Sequence, residues 1–207
     1  MNRLLNLCLL LTLCSSCSAQ PKPMDEDAEA KAFWERFVKS YQSGDQEKLL
    51  DCFSKPHSKL IKTYSKSESA QVSFLKTILK EFGKEGLATF NNHNIVGGTV
   101  FTWPSTFSNT SPKVIQKTKD YFILDDYGWR LEVKKWDDGI YRITNADEAF
   151  ASLEIEKMKR QINAYELGTK ILQSKELSSS DIPSLRNRVF EIELGLPVEE
   201  FRRFKKD

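Results

Sequence analysis

Histidine is nearly missing from this 207-residue chain, which holds only His57 and His93. Outside the N-terminal segment, whose Cys14-Ser15-Ser16-Cys17 is the one CxxC, no HExxH, CxxC or carboxylate cluster at ligand spacing accompanies them, which argues against a structural or catalytic metal. Cysteine is scarce too. Of four cysteines, Cys8 and Cys14 fall in an N-terminal apolar segment, which leaves Cys17 and Cys52 and no disulfide framework. Cys52, in Leu49-Leu50-Asp51-Cys52-Phe53, reads as a small core thiol; His57 is a nearby group able to alter that reading. A surplus of one charge is also lacking, with 31 Lys and Arg against 29 Asp and Glu. That balance gives no support to a nucleic-acid partner or an acidic substrate, and Arg202-Arg203-Phe204-Lys205-Lys206 reads as a solvated helix end. Finally, the longest apolar stretch, Leu4 to Leu13, is well short of the roughly 20 residues of a membrane span.

That stretch follows Arg3 and has the length of a signal-peptide core, so residues 1–19 read as a targeting segment. Small residues Ser15 to Ala19 allow two cleavages. One, after Ala19, leaves a plain secreted protein; the other, before Cys17, frees a cysteine for lipid attachment. The second pattern resembles a bacterial lipoprotein signal, although Cys14 stands where that motif usually has Leu. The expected location is the bacterial cell envelope, lipid-anchored or periplasmic and secreted, with membrane contact only through a lipid on Cys17. Residues 20–27, with Pro21, Pro23 and acidic residues, read as a tether.

A folded region is expected over residues 28–145. Phe33, Trp34, Phe37, Val38 and Tyr41 form one helical stripe, which Gly44 ends as a C-cap. Asp45 caps a short second helix through Leu49, Leu50 and Phe53, and Pro56 closes it. An extended piece is expected at Leu60 to Tyr64, then a third helix capped by Ser67 or Ser69, with Val72, Leu75, Ile78, Leu79 and Phe82 on its stripe and Gly83 and Gly86 as its stop. Leu87 to Phe90 and Ile95 to Trp103 read as strands, the second bent at Gly97-Gly98, and Pro104 to Pro112 as an exposed loop.

Lys117 to Asn145 is the stretch that specifies structure most clearly. Trp129, Leu131, Val133 and Lys135 alternate with Arg130, Glu132 and Lys134, the period of a half-buried strand. Asp125-Asp126-Tyr127-Gly128 and Asp137-Asp138-Gly139 mark two tight turns, so a three-stranded meander is predicted. Beyond it, residues 146–207 read as a helical extension. Ala151, Ile155, Met158, Ile162, Tyr165, Thr169 and Leu172 are spaced alternately four and three apart over Asp147 to Ser174, a heptad seam or one face of a long helix. Ser178 to Asp181 breaks it, Ile182 to Leu194 is a further helix ending at Gly195, and Pro197 starts a last short one with Phe201 and Phe204. The seam must be buried, either within the chain or in a dimer.

The helices and closing strands carry a resemblance. Phe33, Phe37 and Tyr41, the Gly44-Asp45 turn, Leu49, Leu50 and Phe53, and Trp136, Gly139 and Ile143 together resemble the nuclear-transport-factor-2-like superfamily, which includes SnoaL-like cyclases and steroid isomerases. The resemblance covers residues 28 to 145 and implies an α+β fold, a cone-shaped curved antiparallel sheet packed on the N-terminal helices, here with the C-terminal helical extension added. Activity does not carry over with it. Phe37 stands where the isomerases place an oxyanion-donating tyrosine, and Lys55 to Lys62 contains no acid where they place the general base. His57 is the substitute base on offer, beside a solvent-facing alternative. Tyr64 is a weak catalytic candidate with it, and Tyr41, Tyr121 and Tyr141 also carry hydroxyls.

Three functions are compatible with this reading. The first is a non-catalytic exported binding or interaction protein, using the cone mouth or the C-terminal helices to hold a protein partner or a small apolar ligand. The alternative is a small enzyme that uses the cone cavity for proton transfer or hydrolysis through His57 and a tyrosine. The third is an assembly role in which the seam makes a dimer. No cofactor is implied. For the anchor, mass spectrometry of the mature chain is expected to show lipidated Cys17 as the first residue. Cys17→Ser is expected to release the protein from the membrane fraction, whereas a chain starting at Gln20 would exclude the anchor.

Overall fold

The computed structural model describes residues 22–23, 27–91, 112–126, 129–174 and 177–195. The targeting segment with Cys17, His93, the strand expected at Ile95 to Trp103, residues 104–111, the Tyr127-Gly128 corner and the final short helix lie outside them.

Helix α1, Ala28–Ser43, begins where Asp27 accepts hydrogen bonds from the Glu29 and Ala30 amides and ends at Gly44. Its stripe of Ala30, Phe33, Trp34, Phe37 and Tyr41 is buried. Asp45 caps α2, Gln46–Leu50, in the same way, so both starts fall where short acidic side chains satisfy free amides. Helix α3, Lys59–Asn91, differs from expectation at both ends. The residues read as an extended piece at Leu60 to Tyr64 are helical. Ser58, rather than Ser67 or Ser69, supplies the cap, accepting from the Ile61 amide at 3.1 Å. The cause is periodicity, since Ile61, Tyr64, Val72 and Leu75 share one buried helical face. The Ser67 and Ser69 hydroxyls are used elsewhere, on Gln161 and on the Gly44 carbonyl.

At the far end, Leu87 to Phe90 is helix rather than strand. Gly83 interrupts α3 with φ 66° and ψ −166°, a conformation open chiefly to glycine, and the helix resumes after it. Leu87 and Phe90, three apart, then turn the same way into the core, where the Phe90 ring meets Phe74 at 5.2 Å.

Among the described residues, five strands follow one another in space as in sequence: β1 Lys22–Pro23, β2 Lys113–Lys117, β3 Tyr121–Asp126, β4 Trp129–Lys135 and β5 Tyr141–Ile143. Every neighbouring pair is antiparallel, and among the described residues the sheet stays open at its ends. The predicted meander is β3 to β5. Leu131 and Val133 are buried between exposed Arg130 and Lys134, and Gly139 takes φ 78° in the second turn. Phe122 pairs with Val133 and Leu124 with Leu131, which puts four apolar side chains on the face toward α1. Phe53 bridges Ile143 beyond β5, and Asn145 extends the edge by bonding the Glu132 amide and the Arg130 carbonyl, each at 2.8 Å.

The expected long helix from Asp147 is instead two: α4, Ala146–Ala149, and α5, Ile155–Ser174. Phe150 causes the break by turning into the core, where it stacks on Tyr64 at 4.7 Å and meets Trp129 and Phe53 edge-on. Ala151, placed on the seam by spacing, is exposed. From Met158 to Leu172 the seam is buried within the chain against α3 and α6, Ile182–Leu194. Gly168 allows the closest approach: a Cβ there would lie 2.6 Å from the Phe74 ring and 3.0 Å from Val189. A 3-10 turn, Ser179–Asp181, leads into α6.

Two apolar clusters result, and α3 supplies both. One joins α1, α2, the first turns of α3, the sheet, Phe150 and Met158; the other joins the rest of α3 to α5 and α6. Phe37 and Phe53 are each 1% exposed, with rings 6.2 Å apart and edge-to-face. Truncating either to Ala is expected to cost about 3–5 kcal/mol, read as a lowered urea midpoint at unchanged slope. Unchanged midpoints in both variants would show that the fold does not depend on this pair.

Candidate functional site

The two candidate catalytic residues occupy different environments. His57 is half-buried in the link between α2 and α3, its Nε2 enclosed and without a partner among the described residues. Tyr64 is 4% exposed inside the first cluster, between Phe53 and Phe150. Burial, and then the Glu68 carboxyl, hold its hydroxyl well above the ordinary tyrosine range. No hydrogen bond or ring contact joins the two. Cys52 is a core thiol, 1% exposed, donating to the Lys48 carbonyl and pushed up by burial. Tyr141 donates to Glu29 at 2.9 Å and is raised to about 12 by burial and by that bond. Tyr121 is half-buried on the sheet.

Trp34 and Phe37, together with Phe33, Phe53 and Phe122, occupy the space between α1 and the sheet. Aromatic rings thus fill this space. Among the described residues, no group of three or more His, Cys, Asp or Glu side chains is placed to hold a metal ion. No helix there is long and apolar enough to cross a membrane.

An unforeseen polar cluster lies between the helices. The Tyr41 hydroxyl donates to the Glu68 carboxyl, and Tyr64 and Tyr165 lie close enough to feel its charge. Glu68 keeps part of its surface in solvent, but its carboxyl end sits among these rings. Burial raises it to about 7 against the opposing pull of Tyr41. Further along, Gln161 donates to the Glu193 carboxylate at 2.8 Å, Gln71 to the Tyr165 hydroxyl at 3.3 Å, and Ser67 to the Gln161 oxygen at 3.3 Å. Glu193, 4% exposed, is likewise raised by burial. The sequence signal was the spacing of Tyr64 and Glu68, one helical turn apart. It was hidden by reading Leu60 to Tyr64 as extended.

A groove opens on the outer side of the same helices. Gln46 of α2, Lys62, Thr63 and Lys66 of α3, and Lys159, Ile162 and Asn163 of α5 line a shallow, largely open cavity of about 380 Å³. Helical spacing explains the lining: Lys62 and Lys66 are one turn apart, as are Lys159 and Asn163, and buried Ile162 forms the apolar floor. Lys66 reaches Glu166 at 3.4 Å and Lys159 reaches Glu156 at 2.6 Å, while Lys62 has no ion pair among the described residues. Ammonium and amide groups there can hold an anionic or polar segment. No member of the Glu68 cluster lines the groove, and neither does His57.

Glu68 predicts a pH dependence of stability. Its folded value, about 7, exceeds its ordinary 4.5, so the fold favours the protonated form. Its cost is absent below about 4.5, grows as pH rises through this window and is complete above 7. Glu68→Gln keeps an acceptor for Tyr41 and is expected to match the parent at pH 4.5 and to exceed it by about 1–3 kcal/mol at pH 8. Urea unfolding at both values reads this; parallel pH profiles would show that Glu68 ionises without cost.

In comparisons with known proteins, no family model matches the chain, no curated protein matches its sequence, and no solved structure matches its fold.

Proposed function

We propose that this is a non-catalytic exported binding protein of the bacterial envelope, with a nuclear-transport-factor-2-like, SnoaL-like domain whose curved sheet forms a cone around α1. In this reading the C-terminal helices supply the working surface. The observation that carries it is the groove between α3 and α5, lysine-lined over an apolar floor and too open to enclose a small molecule. The aromatic filling between α1 and the sheet favours a protein partner over a small apolar ligand. The lysines select an acidic, extended segment of that partner, since charge complementarity steers encounter and sets register. The burial of Met158, Ile162 and Tyr165 favours this reading over assembly through the seam.

A photo-crosslinking amino acid at Asn163 is expected to give a discrete adduct in intact cells, and one at Lys80, exposed on α3, none. Reversing Lys62, Lys66 and Lys159 to Glu is expected to reduce the adduct at least about tenfold. Equal adducts at both positions, or an adduct that survives reversal, would exclude the groove. A turnover abolished by His57→Ala would overturn the non-catalytic reading.

A further inference from the structure

We infer that the end of the sheet carrying the β4–β5 turn faces a lipid bilayer, with Trp136 and Ile140 seated at the headgroup level. The inference rests on the proposed export and lipid anchoring at Cys17. Trp136 and Ile140 are 39% and 38% exposed, the two most exposed large apolar side chains among the described residues. They flank a single turn, closed by the Trp136 amide on the Ile140 carbonyl at 3.0 Å and by the Gly139 amide on the Trp136 carbonyl at 2.8 Å. Nothing in the turn's own hydrogen bonding calls for an indole there. An indole does suit the membrane interface, where its ring lies in an apolar layer and its N–H in a wet one.

The path of the chain brings the anchor to the same end. The turn between β2 and β3 lies beside the β4–β5 turn, since the Lys135 amide donates to the Asp120 carbonyl at 2.8 Å. Strand β1 pairs Lys22 with Val114 and Pro23 with Lys113, antiparallel to β2. It is therefore entered from the Lys117 side, the side of these two turns. The start of α1 is held there too, because Lys117 pairs with Asp27 at 2.8 Å and with Glu29 at 2.9 Å, and Tyr141 bonds Glu29. Cys17 lies five residues before Lys22, so at full extension the link spans no more than about 18 Å. A link that short keeps this end of the sheet against the surface to which Cys17 is attached.

Charge at this end is mixed: Lys119, Lys134 and Lys135 stand beside Asp120, Asp137 and Asp138, the last paired with Arg142 at 2.8 Å. The contact is therefore made by apolar side chains and is insensitive to salt. The test uses the full chain in vesicles of phosphatidylethanolamine and phosphatidylglycerol carrying headgroup-level nitroxide lipid. An environment-sensitive fluorophore is placed through Asp137→Cys or, as a control, through Lys80→Cys. Quenching of at least about twofold is expected at position 137 and none at 80. Adding Trp136→Ala and Ile140→Ser to the Asp137→Cys chain is expected to relieve it. Equal quenching at both positions, or quenching that persists in the triple variant, would overturn the inference. The mass of the same preparation reads the anchor separately. A chain found without lipid is held to nickel-chelating lipid by an N-terminal hexahistidine tag, and absence of quenching in that state would also overturn the hairpin contact.

Discussion

The stack of Tyr64 on Phe150, ring centroids 4.7 Å apart, is the contact on which the arrangement of this molecule turns. Tyr64 belongs to the first turns of α3, and Phe150 is the residue at which α4 ends. To place its ring there the chain must leave the helix after Ala149, pass through Ala151 to Glu154 without regular structure and restart as α5. The restart lays α5 along α3, and the rest follows from that alignment. Met158 reaches the first cluster, Ile162 and Tyr165 face α3, and α6 closes over both. The outward faces of α3 and α5 then lie side by side, so that Lys62 and Lys66 stand across from Lys159 and Asn163. Buried aromatic pairs contribute beyond their area, but the larger effect here is directional, since one ring sets the path of about forty residues.

Legibility in the sequence followed how local the deciding interaction was. Asp45 and Gly44 do their work within a helical turn, and the β4 alternation and the Asp137-Asp138-Gly139 corner within a few residues, and each is legible; Asp27 reads as part of the tether, although it caps α1. The misread stretches were decided at a distance. Leu60 to Tyr64 looked extended because the partners that reveal its helical face, Phe53 and Phe150, lie on other elements. Leu87 to Phe90 looked like a strand because Gly83 resembles a stop. It became helix because Phe90 gains a place against Phe74. Ala151 fits the heptad spacing and falls outside the helix because Phe150 turns into the core just before it. Of the site, Lys159, Ile162 and Asn163 were visible only as parts of a helix, since a groove is a relation between two helices. Glu68 carries no signal of its own in the sequence, because the Tyr41 hydroxyl that bonds it lies on another helix.

The polar residues divide into two populations with different work. Glu68 and Glu193 lie among tyrosines and amides, where burial raises both. Each ties helices together through hydrogen bonds, Glu68 to Tyr41 of α1 and Glu193 to Gln161 and Tyr165 of α5. Such groups cost solvation, but they specify register between surfaces that apolar packing alone leaves free to slide. The groove lysines keep their solvation, and two of the three neutralise a glutamate one turn away or on the facing helix. An acidic partner would exchange these weak surface pairs for its own carboxylates, so the net gain per lysine is small. Discrimination then depends on engaging several at once.

Orientation connects the two proposals. Helix α1 starts beside Lys117, at the sheet end assigned to the bilayer, and its last turn passes through Gly44 and Asp45 to Gln46, a wall of the groove. Sixteen residues of helix at 1.5 Å each measure about 24 Å. If a lipid on Cys17 holds the start of α1 at the headgroups, α1 sets the groove off from them by up to this length. At such a distance the negative surface potential of anionic lipid would have decayed over more than a Debye length and would no longer repel the acidic segment proposed for the groove.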